Sequence, residues 1–178
     1  MPTRMAVLLR GVNVGKGNRI SMADFRALLA GLGYTEVKTL LNSGNAVFTS
    51  SGGTAQDAAA RIEKALAAKL ALPVRAVVLT AAETARLTAS NPVPGADNPS
   101  RLLVAVWSSP DARAKLAPLA EVDWGDETVV LGPRAAFLWC PRGVIESSLS
   151  AAVYKRLGEA VTVRSWATMK KLAAMTGG

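Results

Sequence analysis

The run Asn91-Pro92-Val93-Pro94-Gly95-Ala96-Asp97-Asn98-Pro99 constrains the fold more than any other stretch of this chain. Its prolines cannot donate a backbone hydrogen bond and its other residues favour turns, so it cannot lie inside a helix or a sheet. The same order of elements is predicted on either side of it. Before it, residues 4–9 form a short apolar run closed by Arg10-Gly11, which reads as a buried strand, and a polar, glycine-rich loop continues through Arg19. Ser21 then precedes Met22, Phe25, Leu28, Leu29 and Leu32 at helical spacing, with Asp24 placed to complete a capping box and Gly31 and Gly33 at the far end. Residues 36–41 and 46–49 read as a hairpin around Asn42-Ser43-Gly44-Asn45, whose residue types tolerate positive φ. Residues 54–70 carry Ala58, Ile62, Leu66 and Leu70 four apart, Pro73 follows, and residues 74–79 are again strand-like.

Residues 81–89 suggest a short connecting helix. After the proline-rich run come an apolar strand over 102–107, a helix over 110–119, strands over 127–131 and 135–140 around Gly132-Pro133, a helix over 146–157 and a strand over 160–163. A last helix over 166–175 has Ser165 as its N-cap. The order β, α, β, β, α, β occurs twice. That is the split βαβ, or ferredoxin-like, order, so the expected fold is α+β: two tandem ferredoxin-like units with a connecting helix and a C-terminal helix. The expected divisions are 1–80 for the first unit, 81–99 for the helix and connector, and 100–178 for the second unit with the C-terminal helix.

The chain has no histidine, which removes the commonest general base, the usual activator of serine or cysteine nucleophiles and the neutral nitrogen ligand of zinc. Carboxylates, lysines and tyrosines are left for any proton transfer. One cysteine, Cys140, excludes an internal disulfide, and neither a metal site nor a cofactor fingerprint is expected. The apolar stretches fall far short of the roughly 20 residues that span a bilayer. The first residues lack the pattern of a signal peptide, so a cytoplasmic protein is expected.

Formal charge is +8, and residues 1–80 hold ten Lys/Arg against four Asp/Glu. A positive field of this kind steers phosphates, nucleotides or nucleic acid, although solubility alone is a sufficient reason for it. In the expected topology the loop after the first strand and the hairpin turn emerge at one sheet end. That brings Arg10, Gly11, Asn13, Gly15, Lys16, Asn18 and Arg19 close to Ser43, Gly44 and Asn45: glycine amides, cations and amide side chains of the kind that cradle an anion. The expected ligand is a phosphorylated small molecule or a nucleotide. The plainer alternative is that the glycines only shape a connection and the second motif is only a turn. The loop is not a Walker P-loop, since three residues rather than four separate Gly11 from Gly15, and Gly17 stands where that motif needs a hydroxyl.

Two further readings compete. A nucleic-acid module would use the basic first half, but the aromatic residues that such modules stack on bases are sparse: Phe48 in the first unit, with Trp107, Phe137 and Trp139 in the less basic second. The other reading is a non-enzymatic protein-interaction or oligomeric protein. Arg164, with Trp166 nearby, is a secondary anion candidate at a helix start, or else pairs with Asp126 or Glu127. The cluster of Asp123, Asp126 and Glu127 around Trp124-Gly125 reads as a solvated turn.

Several of these segments carry a resemblance. Arg10-Gly11-Val12-Asn13-Val14-Gly15 with Asn18 and Met22, Ser43-Gly44-Asn45-Ala46-Val47-Phe48, Asn91-Pro92, Asp126-Glu127 and Thr162-Val163-Arg164-Ser165-Trp166-Ala167-Thr168 occur in the order found in a bacterial family, domain of unknown function 1697. The chain resembles that family over nearly its whole length. The resemblance implies a pair of ferredoxin-like subdomains and, since the family's biochemical function is not established, no catalytic residues. Two positions depart from the family pattern: Lys16 where a second glycine is common, and Ser165-Trp166-Ala167 where Asn-Trp-Asn is common.

Overall fold

The computed structural model describes residues 1–177. It is a mixed α/β structure with two four-stranded antiparallel sheets and six α-helices among the described residues. The first set of elements is β1 (Thr3–Leu9), α1 (Met22–Gly31), β2 (Thr35–Leu40), β3 (Asn45–Ser50), α2 (Ala55–Leu70) and β4 (Ala76–Thr80), followed by α3 (Ala81–Thr88). The second is β5 (Leu102–Trp107), α4 (Ala112–Leu116), β6 (Thr128–Leu131), β7 (Ala135–Trp139), α5 (Ser148–Leu157) and β8 (Val161–Ser165), followed by α6 (Trp166–Thr176). The strand orders are β2-β3-β1-β4 and β6-β7-β5-β8. In each sheet the first strand of its set therefore lies between the third and the fourth.

Two compact units divide the chain: Met1–Arg86 with the residues from Leu172 onward, and Leu87–Lys171. In the first, Met5, Val7 and Leu9 alternate along β1 and join Ala46 and Phe48 of β3 and Ala76 and Val78 of β4 on one sheet face. Phe25, Leu28 and Leu29 of α1 and Ile62, Ala65 and Leu66 of α2 cover that face. Full burial of a Phe or Leu side chain contributes roughly 1.5–3 kcal/mol, so this layer fixes the register of β1 against slippage. Residues on the other face, Ala6, Leu8, Val47 and Leu79, are also buried. In the second unit Leu103, Ala105 and Trp107 alternate in the same way and pack with Leu116, Leu149 and Val153.

Local chemistry shifts several boundaries from those the sequence suggests. The α-helix expected over 110–119 stops at Leu116 and continues as a 3₁₀ turn, Ala117–Glu121. Pro118 is the cause, since it has no N–H to give to the carbonyl four residues back. The strand expected over 160–163 runs to Ser165, so Arg164 lies within a strand, paired with Val104, and not in the connection to the helix. Ser21 caps α1 by accepting from the Asp24 amide. The reciprocal capping box is made instead at α2, where Thr54 accepts from Asp57 N at 3.1 Å and the Asp57 carboxylate accepts from Thr54 N at 2.8 Å. Positive φ in the β2–β3 turn falls on Leu41 (59°) and Gly44 (87°) and not on the asparagines. No helix among the described residues is long and apolar enough to cross a membrane.

Candidate functional site

β1 and β2 are both antiparallel to β3 and hence parallel to each other, so the loop leaving β1 and the β2–β3 turn emerge at the same end of the first sheet. They are in contact there. Leu9 N donates to Gly44 O at 2.8 Å, and a Cβ at residue 44 would stand 2.6 Å from Val12 Cγ2 and 2.9 Å from Leu9 Cβ. Only glycine lets the turn come this close at φ 87°.

Within the loop Asn13 is the fastener. Its backbone is in the left-handed region at φ 57°, and its amide donates to Asn18 O at 2.7 Å. Its side chain donates to Ile20 O at 2.8 Å and to Asn42 O at 2.7 Å while accepting from Ile20 N at 3.0 Å. Both side-chain hydrogens are thereby used by the fold. Arg19 donates to the Gly15 carbonyl, and Gly17 N to Val14 O at 3.3 Å, closing the tip. Asn45 is wholly buried, giving its Nδ2 hydrogens to Leu40 O at 2.9 Å and Ser43 Oγ at 2.8 Å. Of the residues singled out in the sequence, Asn13, Gly44 and Asn45 therefore build the scaffold. Gly11, Gly15, Lys16, Asn18 and Arg19 are exposed on it, with Arg10 and Ser43 half-buried at its base.

Sequence reasoning missed Arg75. β4 is antiparallel to β1, so its start lies beside the end of β1, and Arg10 N donates to Arg75 O at 2.9 Å. Continuing the pair Leu9↔Ala76 one residue past the strand ends sets Arg75 opposite Arg10. Residues directly opposite share a face, with Cβ atoms roughly 4.5–5.5 Å apart. The Arg75 guanidinium is half exposed and meets Glu63 Oε1 through Nε at 3.0 Å, an oxygen that also accepts from Ala76 N at 2.9 Å. A split βαβ unit sets its fourth strand beside its first, and that topology is the signal by which Arg75 could have been found.

The secondary candidate is differently placed. Arg164 is buried and donates to Thr162 Oγ1 at 2.8 Å and Val163 O at 3.0 Å. Burial draws its pKa down to about 10, opposed by Tyr154. Its two expected acidic partners are engaged by other groups: Asp126 by Arg142 at 3.2 Å, and Glu127 by the Ser147 hydroxyl and by Leu149 N at 3.5 Å. Trp166 packs edge-on to Phe137 with ring centroids 6.1 Å apart and is buried. Ser147 also lies 3.3 Å from Cys140 Sγ, and burial pushes that thiol up to about 11, so it is protonated and inert near neutrality. Among the described residues no group of His, Cys, Asp and Glu is arranged to hold a metal ion.

Two four-stranded sheets of like order, each with helices packed on it, define the class: a two-unit α/β protein. The chain belongs to the family described as "Protein of unknown function (DUF1697)", whose model matches residues 2–137 and so takes in the loop, the turn and the start of β4. Its fold is similar to that of the conserved bacterial protein SP0830 from Streptococcus pneumoniae, with 22% identity, a TM-score of 0.78 and 99% of each chain covered. No curated protein matches the chain.

Proposed function

We propose that this protein binds a phosphorylated small molecule or a nucleotide at the end of its first sheet, on a scaffold of two ferredoxin-like units. The observation that carries the reading is the fastening of the loop: Asn13 ties a segment bearing Arg10, Lys16, Arg19 and two exposed left-handed glycines to the neighbouring turn. A loop with no binding role gains little from cations held in a fixed arrangement, whereas an anion site gains from not having to order them on binding. The strand order, with each crossover skipping one strand, supports the ferredoxin-like assignment of each unit.

Thermal unfolding in the presence of inorganic phosphate, nucleotides and sugar phosphates tests the reading. A ligand at about 100 times its Kd adds roughly 2.7 kcal/mol to stability, a shift of several degrees. Arg10→Ala and Lys16→Ala are expected to abolish the shift while leaving the unliganded melting temperature near that of the parent. Undiminished shifts in both variants would exclude the site.

A further inference from the structure

We propose that the chain associates head to tail with a second copy of itself. The loop-and-turn end of the first sheet in one copy meets, in the other copy, the end of the second sheet where β6 begins and β7 finishes. Apart from Met1 and Tyr154, every exposed large apolar side chain among the described residues lies at one of these two ends: Val14 and Leu41 at the first, Val122, Val144 and Ile145 at the second. Val14 and Leu41 flank the hydrogen bond from Asn13 to the Asn42 carbonyl that fastens the loop to the turn. At the second end β6 is antiparallel to β7, so the segment entering β6 and the segment leaving β7 emerge together. Arg142 meets Asp126 there at 3.2 Å, and the Ser147 hydroxyl donates to Glu127. Ile145 is 99% exposed, and Leu41 is 53% exposed on left-handed backbone (φ 59°) that a leucine adopts at a cost. Neither side chain gains burial within the single chain, and a second copy supplies it.

Charge selects the partner. Residues 10–19 and 41–45 include Arg10, Lys16 and Arg19 and no carboxylate. Residues 121–127 and 141–147 include exposed Glu121, Asp123, Asp126 and Glu146 against a single cation, Arg142. Each end therefore repels its own kind and attracts the other, which disfavours a contact of like with like. The contact joins two different surfaces, so it is heterologous, and a copy bound through one end keeps the other end open. A second copy brings carboxylates and exposed apolar side chains on two joined loops, matching the cations and apolar side chains that the first end carries.

Sedimentation velocity on the full chain tests this, at low salt and over concentrations reaching roughly 0.5 mM, because small contacts associate weakly. The parent is expected to self-associate, and less so as salt rises. Leu41→Asp puts in a residue that tolerates positive φ better than leucine, and Ile145→Lys changes a fully exposed position, so both variants are expected to melt close to the parent. Each alone keeps one working end and is expected to self-associate at least about tenfold more weakly. Mixed in equal amounts, the two are expected to form a dimer of one copy of each and nothing larger, since the acidic end of the first variant and the basic end of the second are intact. A parent that stays monomeric throughout, or association undiminished in either variant, overturns the proposal. A mixture that associates no better than its components overturns the head-to-tail pairing, and association indifferent to salt overturns the role of charge. Neither substitution removes a cation from the loop, so the result is separate from that of the phosphate test.

Discussion

Asn13 donates from its side chain to the Asn42 carbonyl at 2.7 Å, a hydrogen bond between two residues that belong to different connections and meet because β1 and β2 run parallel on either side of β3. The same side chain exchanges a pair of hydrogen bonds with the Ile20 backbone, just before α1 begins. A single amide group thus aligns the end of one strand, the start of one helix and a turn.

Replacing Asn13 by alanine removes three hydrogen bonds and leaves a Cβ-bearing residue without local support at φ 57°. The expected loss is about 2–3 kcal/mol, a fall in melting temperature of roughly 5–10 °C. Asn13→Gly, which loses the bonds but not the conformation, is expected to lose less. A thermal melt of the two variants beside the parent checks the order.

Gly44→Ala places a methyl group against Val12 Cγ2 and Leu9 Cβ at distances no real side chain shows. With the strain of φ 87° the expected destabilisation is about 2 kcal/mol or more. Val12→Ala made in the same chain is expected to recover part of it, since it removes the nearer clash. Non-additivity in denaturant melts of the single and double variants is the readout.

Thr54 and Asp57 cap α2 reciprocally, and Thr54→Ala is expected to cost about 1 kcal/mol. The hydrogen bonds from Thr54 hold the Asp57 carboxyl below its ordinary value of 3.8. A depressed folded-state pKa contributes stability that is complete above the unfolded value and lost as pH falls through the lower folded one. The parent should therefore lose this contribution below pH 3.8, while Asp57→Asn shows a flatter acid limb. Stability curves for the two proteins between neutral pH and acid decide it.

Cys140 is buried, and that burial pushes its thiol up to about 11. The native protein is expected to resist alkylation by iodoacetamide at pH 8 and to react at the rate of an ordinary thiol once unfolded in urea. Rapid labelling of the folded state would contradict the placement of Cys140 behind Ser147.

Much of the fold was legible because its signals are local. The apolar alternation in β1 and β3, the four-residue spacing in α2 and the proline-rich run between Asn91 and Pro99 each depend on neighbours in sequence. The proximity of the loop and the turn was legible too, since strand order alone sets it. Roles within that cluster were not. Asn13 and Asn45 have the composition of ligand donors, and only their partners, Ile20, Asn42, Leu40 and Ser43, reveal them as fasteners. Arg164 looked like a residue of a connection because β8 runs two residues longer than its apolar pattern, through Arg164 and Ser165, which pair with Val104 and Leu103. Positive φ at Leu41 has no signature in a leucine.

The return of the residues from Leu172 onward to the first unit bears on the order in which the chain can fold. Thr176 and Thr84 place their hydroxyls 3.1 Å apart in a buried setting, and Arg4 of β1 donates to Met175 O at 3.5 Å. A ribosome releases Met1–Arg86 first, then the whole of Leu87–Lys171, and only afterwards the segment that supplies Met175 and Thr176. The first unit to emerge is thus the last to be completed. Its nascent form must persist with these contacts unmade until synthesis has passed through its neighbour.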